Sequence, residues 1–218
     1  MLEAVEVSAS YGRTPALVGA SLSVRAARSV AILGESGSGK STMLHCLAGL
    51  RQPDSGAVLY DGGDLAQLGD VARSRIRLRE MGIVFQFGEL VPELTVGENV
   101  ALPLWAAGAD RTFAAARAAE LLEAFGLGET VDRIPGQLSG GQQQRAAVAR
   151  ALVHDPKIVF ADEPTGSLDS LNAENVMDSL LAQTTVQRAA LVLVTHEPRY
   201  AERCDEVFVM RDGALRPR

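Results

Sequence analysis

The sequence is short of several things, and each shortage excludes something. Only two cysteines occur among 218 residues, Cys46 and Cys204, with no metal-ligand spacing, so both read as buried thiols of a reducing compartment. No apolar run approaches the roughly 20 residues that span a bilayer, and the opening Met1-Leu2-Glu3-Ala4-Val5-Glu6 is too acidic for a signal peptide. The expectation is a cytosolic chain that reaches a membrane only through a partner. Internal repeats and low-complexity tracts are absent. Lysine is nearly absent too: Lys40 and Lys157 are the only two, and arginine supplies the remaining positive charge. The net charge of −6 argues against general nucleic-acid affinity. What is present, 47% hydrophobic and 22% charged residues, is ordinary for a globular protein with a large core.

One of the two lysines sits in Gly34-Glu35-Ser36-Gly37-Ser38-Gly39-Lys40-Ser41, which matches G-x-x-x-x-G-K-[ST] in full. The apolar run Ser29-Val30-Ala31-Ile32-Leu33 before it predicts a buried strand, and Ser41 to Ala48 after it predicts a helix ended by Gly49. Strand, loop, helix is the context in which this pattern binds phosphate. Its glycines let several backbone N–H groups converge on one anion at the positive end of a helix. Lys40 supplies a compact charge for the β- and γ-phosphates, and the Ser41 hydroxyl suits Mg²⁺. The plainer reading, a glycine-rich turn with a solvated lysine, does not explain the full pattern.

Alternating apolar and polar residues at 5–8 and 20–24 predict half-buried antiparallel strands. Between them Tyr11, followed by Gly12, offers a flat ring that could stack on a base or merely pack on a strand edge; spacing leaves both readings open. The arginine-rich stretch 70–80 predicts a solvated helix face, with an acidic or lipid partner as the lesser reading. Gly82 to Phe85 predicts a buried strand ending at Gln86, where a side chain would enter a ligand crevice. From residue 88 to 150 helical signals dominate, including a capping box at Thr95 and Glu98, a helix bent or shortened by Pro103, and an alanine-rich helix over 114–125. Strand signals resume at 157–161, 189–194 and 207–210, with helices predicted over 171–183 and 198–204. The reading is one domain over 1–218: an α/β core with an antiparallel β subdomain at 1–87 and 151–218, interrupted by a helical subdomain at 88–150.

The strand Ile158 to Ala161 ends in Asp162 and Glu163, at the edge where α/β proteins place ligands. Asp162 is a candidate Mg²⁺ holder, and Glu163 a candidate to orient or deprotonate an attacking water. Leu138-Ser139-Gly140-Gly141-Gln142 leads into a helix. Ser139 and Gln142 form a capping-box pattern, yet two glycines in a first turn cost about 1 kcal/mol each relative to alanine, which points to a close approach by something, a second anion being the natural candidate. His196 follows a strand at the same edge and is a candidate γ-phosphate or water contact. His45 and His154 are placed within helices and receive no role.

In this order the motifs resemble the nucleotide-binding subunit of ATP-binding cassette (ABC) transporters, over almost the whole chain. The resemblance implies a P-loop NTPase (RecA-like) α/β fold and a Mg²⁺-dependent ATPase. It makes Tyr11 the adenine-stacking aromatic, Gly34, Glu35, Ser36, Gly37, Ser38, Gly39, Lys40, Ser41 and Thr42 the phosphate loop, and Gln86 a sensor of Mg²⁺ and of the membrane partner. Glu163 becomes the catalytic base and His196 the switch histidine. Ser139, Gly140, Gly141 and Gln142 become the signature motif, which closes over ATP held by a second copy in a head-to-tail dimer. Ser167-Leu168-Asp169 becomes the loop that crosses to that copy. Glu35-Ser36-Gly37-Ser38, Phe85-Gln86-Phe87 and Leu90 to Val96 are similar to the macrolide-exporter and lipoprotein-releasing group, in which ATP moves extracytoplasmic parts. Many relatives carry Asn where this chain has Ser167. The chain stops at Arg218 without a membrane segment, so a separate permease is expected, seated on 90–104, which would hold the subunit against the inner face of the membrane.

Other classes fit less well. A chromosome-maintenance or repair ATPase would need a long coiled-coil insertion, and a small-molecule kinase would have no signature motif. An ATPase that regulates cell-wall or division machinery through a membrane partner, without transport, is the alternative that the sequence leaves standing.

Overall fold

The computed structural model describes residues 1–218. In chain order the elements are β1 (Leu2–Tyr11), β2 (Thr14–Val24), β3 (Ser29–Leu33), α1 (Lys40–Leu47), β4 (Ser55–Tyr60), β5 (Gly63–Asp64), α2 (Asp70–Glu80) and β6 (Met81–Val84). There follow α3 (Val96–Ala106), α4 (Arg111–Ala124), α5 (Gly140–Leu152), β7 (Ile158–Asp162), α6 (Ser170–Val186), β8 (Ala190–Thr195), α7 (Pro198–Ala201), β9 (Glu206–Arg211) and β10 (Ala214–Pro217). None of the helices is long and apolar enough to cross a membrane. The chain forms two compact units, Met1–Arg77 with Ala190–Arg218, and Leu78–Ala189.

In the first unit β1 is the spine of an antiparallel sheet ordered β2-β1-β4-β5. Its alternation buries Leu2 and Ala4, is shifted by one residue at a bulge where Glu6 takes φ 49° and Val5 turns outward, against the alternation expected over 5–8, and then buries Val7 and Ala9. Gly12 turns the hairpin into β2 with φ +61°. A second group of strands centres on β3, whose Val30, Ala31 and Ile32 are buried. β3 runs parallel to β8 on one side, Ile32 opposite Val194, and to β9 on the other, Ile32 opposite Phe208. A strand covered on both faces reads as an uninterrupted apolar run, as this one does. Helix α1 leaves the end of β3 and is closed by Gly49 at φ +63°. The arginines of α2 are not uniformly solvated: Arg73 is buried and donates to the Leu65 carbonyl, and Arg77 donates to the Gly49 carbonyl at 2.7 Å. Only the outer arginines, such as Arg75 and Arg79, form the solvated face that the sequence predicts.

In the second unit β6 and β7 pair in parallel, Met81 opposite Ile158 and Val84 opposite Ala161. Helix α5 packs on β6 so closely that the Ala151 carbonyl occupies the space a side chain on Gly82 would need. Ala146, Ala147, Val148, Ala149 and Leu152 are all buried, because α5 is also packed against α3 and α6. Thr95 and Glu98 form the expected capping box of α3, but Pro103 does not end that helix, which continues to Ala106. His154 lies in the turn after α5 rather than inside a helix.

Candidate functional site

The loop between β3 and α1 is built around its glycines. Gly37 and Gly39 adopt φ +79° and +109°, values a side chain disfavours. A Cβ on Gly34 would stand 2.5 Å from the Met210 carbonyl oxygen and 2.7 Å from Ser38 Oγ, while Gly39 lies against the Ala16 carbonyl of β2. The loop is also tied from outside, since Gly213 N–H, in the turn after β9, donates to the Ser38 carbonyl at 3.0 Å. Lys40 is buried, and its Nζ donates to the Glu35 carbonyl at 2.9 Å, so the ammonium is folded back across the loop. Thr42 is buried in the first turn of α1, and Ser41 is exposed. Ser38 Oγ is buried without a hydrogen-bond partner, an orphan that a phosphate oxygen would satisfy. The curled glycine backbone, the buried ammonium and this orphan hydroxyl together fit a polyphosphate, and Ser41 adds the hydroxyl a hydrated Mg²⁺ takes.

His196 belongs to the same unit. Leu33 and Thr195 are partners in the β3–β8 register, so Gly34 and His196 leave the sheet side by side. Glu197 N–H donates to Thr195 Oγ1 at 3.0 Å, which shapes the turn, and the imidazole is exposed. Tyr11 ends β1, in the hairpin whose returning strand β2 brings Ala16 to Gly39, and the residue is 55% exposed.

In the second unit Gln86, Asp162 and Glu163 meet at one end of the β6–β7 pair. Asp162 is the last residue of β7, and Glu163 takes a left-handed turn at φ 47°, which redirects the chain at once. The Gln86 amide lies against Gly166, whose added Cβ would be 2.9 Å from Gln86 Nε2. Three side chains of this unit hold the backbone on either side of Gln86. Buried Gln144 of α5 donates to the Phe85 carbonyl at 2.9 Å, Arg150 donates to the carbonyls of Gly88 and Glu89 at 2.7 Å, and buried Asn99 of α3 bonds both to the N–H and to the carbonyl of Val91. None of these three was legible from spacing, because each acts on a backbone group far along the chain or inside a loop.

Ser139 caps α5 in a closed capping box: Gln142 N–H donates to Ser139 Oγ, and Ser139 N–H donates to Gln142 Oε1 at 2.9 Å. Both glycines therefore lie inside the first turn of α5. Gly140 is exposed, beside Leu168 of the 167–169 loop. Asp169 in turn caps α6, and the bond from Asn172 N–H, followed by that from the Asn172 amide, holds its carboxyl below the usual carboxylate range. Cys46 is buried and Cys204 partly so; desolvation pushes both thiols up to about 11, which keeps them protonated and inert at neutral pH.

The description "ABC transporter" is that of a family model matching residues 17–166. The chain belongs to this family. As an ABC protein it binds and hydrolyses ATP with Mg²⁺, on an α/β P-loop NTPase fold. It is 47% identical over 204 residues to the lipoprotein-releasing system ATP-binding protein LolD of Xanthomonas campestris pv. campestris (strain 8004), covering 94% of this chain and 85% of the relative. With the LolD of Shewanella oneidensis it shares 44% identity over 219 residues, 99% of this chain and 95% of that one. A solved ABC structure, the dimeric post-hydrolysis state of the ATP-binding cassette MJ0796 bound to ADP and Pi, superposes with a TM-score of 0.92 at 36% identity, covering 100% of this chain and 98% of the other.

Proposed function

We propose that the chain is the ATP-driven subunit of a membrane complex that releases lipoproteins. The observation that carries this reading is the 47% identity to a LolD protein along 94% of the chain. The complex would hold it at the inner face of the membrane through a permease. The stretch 90–104, which follows Gln86 and the 69% exposed Phe87, is the docking element, and 88–150 forms a helical subdomain inserted into the α/β core.

In this proposal Tyr11 stacks the adenine, and residues 34–42 bind the phosphates through backbone N–H groups, Lys40 and Ser38. Ser41, Gln86 and Asp162 would hold Mg²⁺, which would supply positive charge to the polyphosphate. Glu163 accepts a proton from water as its oxygen attacks the γ-phosphorus; the bond to the bridging oxygen breaks, and ADP and phosphate form. His196 fixes the γ-phosphate and the water. Ser139, Gly140, Gly141 and Gln142 of a second copy close the site, with the 167–169 loop beside them. The exposed Gly140 supports that closure: with no neighbour of its own chain closer than Leu168, at 3.5 Å from an added Cβ, its lack of a side chain serves something outside the chain.

The test is depletion of the protein in its own host, with complementation by wild type or Glu163→Gln. Lipoproteins should accumulate in the cytoplasmic membrane on depletion and be released again with wild type but not with Glu163→Gln. Envelope or division defects with normal lipoprotein release would overturn the reading in favour of a regulator.

A further inference from the structure

Arg51, in the loop after α1, has no part in the assignments above. Its backbone N–H donates to the His45 carbonyl at 3.1 Å, anchoring it to the end of α1, and its Nη2 donates to the Ser10 carbonyl at 2.6 Å. Its Cζ stands 4.1 Å from the centroid of the Tyr11 ring, within cation–π distance. Arg51 Nε is buried and has no hydrogen-bond partner, so the half-buried guanidinium is directed by the ring and by one carbonyl. One face of Tyr11 is thus covered by a cation, while 55% of the residue stays exposed.

We propose that Arg51 is a positioning residue for the nucleobase, holding the Tyr11 ring in one orientation and polarising it from the far side. This rests on the reading that Tyr11 stacks adenine. A terminal tyrosine on a hairpin samples several rotamers, and ordering it on binding weakens affinity; a guanidinium already stacked on one face removes that ordering from the binding step. Charge on the far face also draws density out of the ring, which favours an electron-rich purine on the open face. Helix α1 links the two ends of the nucleotide: Lys40 starts it, and the carbonyl of His45 in its last turn holds Arg51.

The experiment measures binding of ATP and of inorganic tripolyphosphate to the full chain, as wild type, Arg51→Ala, Arg51→Lys, Tyr11→Ala and the double alanine variant. Arg51→Ala should raise the Kd for ATP about three- to ten-fold, on the scale of a cation–π contact. Its Kd for tripolyphosphate and its kcat at saturating ATP should stay at the wild-type values. Arg51→Lys should recover part of the loss, and the double variant should be no worse than Tyr11→Ala. Equal losses for ATP and tripolyphosphate would reduce Arg51 to a structural tie and overturn the proposal, as would unchanged ATP affinity in Arg51→Ala alongside weakened affinity in Tyr11→Ala. Unchanged ATP affinity in Tyr11→Ala would overturn the base-stacking reading itself.

Discussion

A methyl group placed on Gly141 would stand 2.6 Å from Asn172 Cγ and 2.9 Å from Asn172 Cβ. Asn172 has no easy escape, because its amide donates to Asp169 Oδ2 at 2.7 Å and its backbone N–H to Asp169 Oδ1 at 3.0 Å, fixing it in the first turn of α6. The close approach of α5 to α6 thus depends on this glycine. Gly141→Ala should destabilise the fold by about 1–3 kcal/mol, the usual cost of overpacking, despite the better helix propensity of alanine. Urea unfolding measures it, and a variant as stable as wild type would show that the two helices separate freely.

The neighbouring glycine should behave in the opposite way. A Cβ on Gly140 would meet only Leu168, at 3.5 Å, an ordinary van der Waals distance. Gly140→Ala should therefore keep or slightly raise stability in the same urea assay, while ATPase turnover falls at least about ten-fold, as a step of roughly 1.4 kcal/mol implies. Wild-type turnover in Gly140→Ala would remove the reason for a glycine at that site and weaken the proposal that a second copy closes over it.

This contrast shows what local sequence can carry. The capping box of Ser139 and Gln142 and the anomaly of two glycines behind it were both legible, because caps and propensities are properties of a few consecutive residues. That Gly141 answers to Asn172 was not, since the two lie on different helices. β3 was legible residue for residue from one apolar run in front of a glycine-rich loop. β10 was missed because Ala214 to Pro217 is short and carries no alternation, although Asp212-Gly213, both at positive φ, is a hairpin signal that could have found it. Arg73, Arg77 and Arg51 were read as solvent charges or not at all. Their hydrogen bonds to the carbonyls of Leu65, Gly49 and Ser10 exist only once the chain has folded back on itself.

His154 should make stability depend on pH. Its Nε2 meets the Met81 carbonyl at 3.2 Å, Nδ1 is buried without a partner, and burial holds its pKa below the ordinary 6.5, against smaller opposing effects of the Met81 carbonyl and Asp155. Above pH 6.5 the ring is neutral whether folded or unfolded, so the full stability is present. Below that value the unfolded chain takes a proton that the folded chain refuses, and stability falls until the pH reaches the lowered folded value. The slope should approach about 1.4 kcal/mol per pH unit, that of one proton, in this window. Urea unfolding between pH 7.5 and about 5 measures it, and His154→Leu should flatten the curve; an unchanged slope in that variant would assign the dependence to other groups.

If the signature turn acts across a dimer, two dead proteins should make one live site. Lys40→Ala removes the buried ammonium that lies across the phosphate loop, and Ser139→Ala removes the hydroxyl that caps α5. In a mixed head-to-tail dimer, one composite site receives both alanines, while the other pairs an intact Lys40 with an intact Ser139. Random mixing of equal amounts puts half of the dimers in the mixed form, so recovered turnover should reach at most about one quarter of the wild-type value per chain if sites work independently. Activity no higher than that of either parent, with mixed dimers demonstrated by differently tagged copies, would mean that each chain completes its own site or that both sites must fire together. A Glu163→Gln chain mixed with wild type separates these, since it disables one site per mixed dimer while leaving both signature turns and both phosphate loops intact.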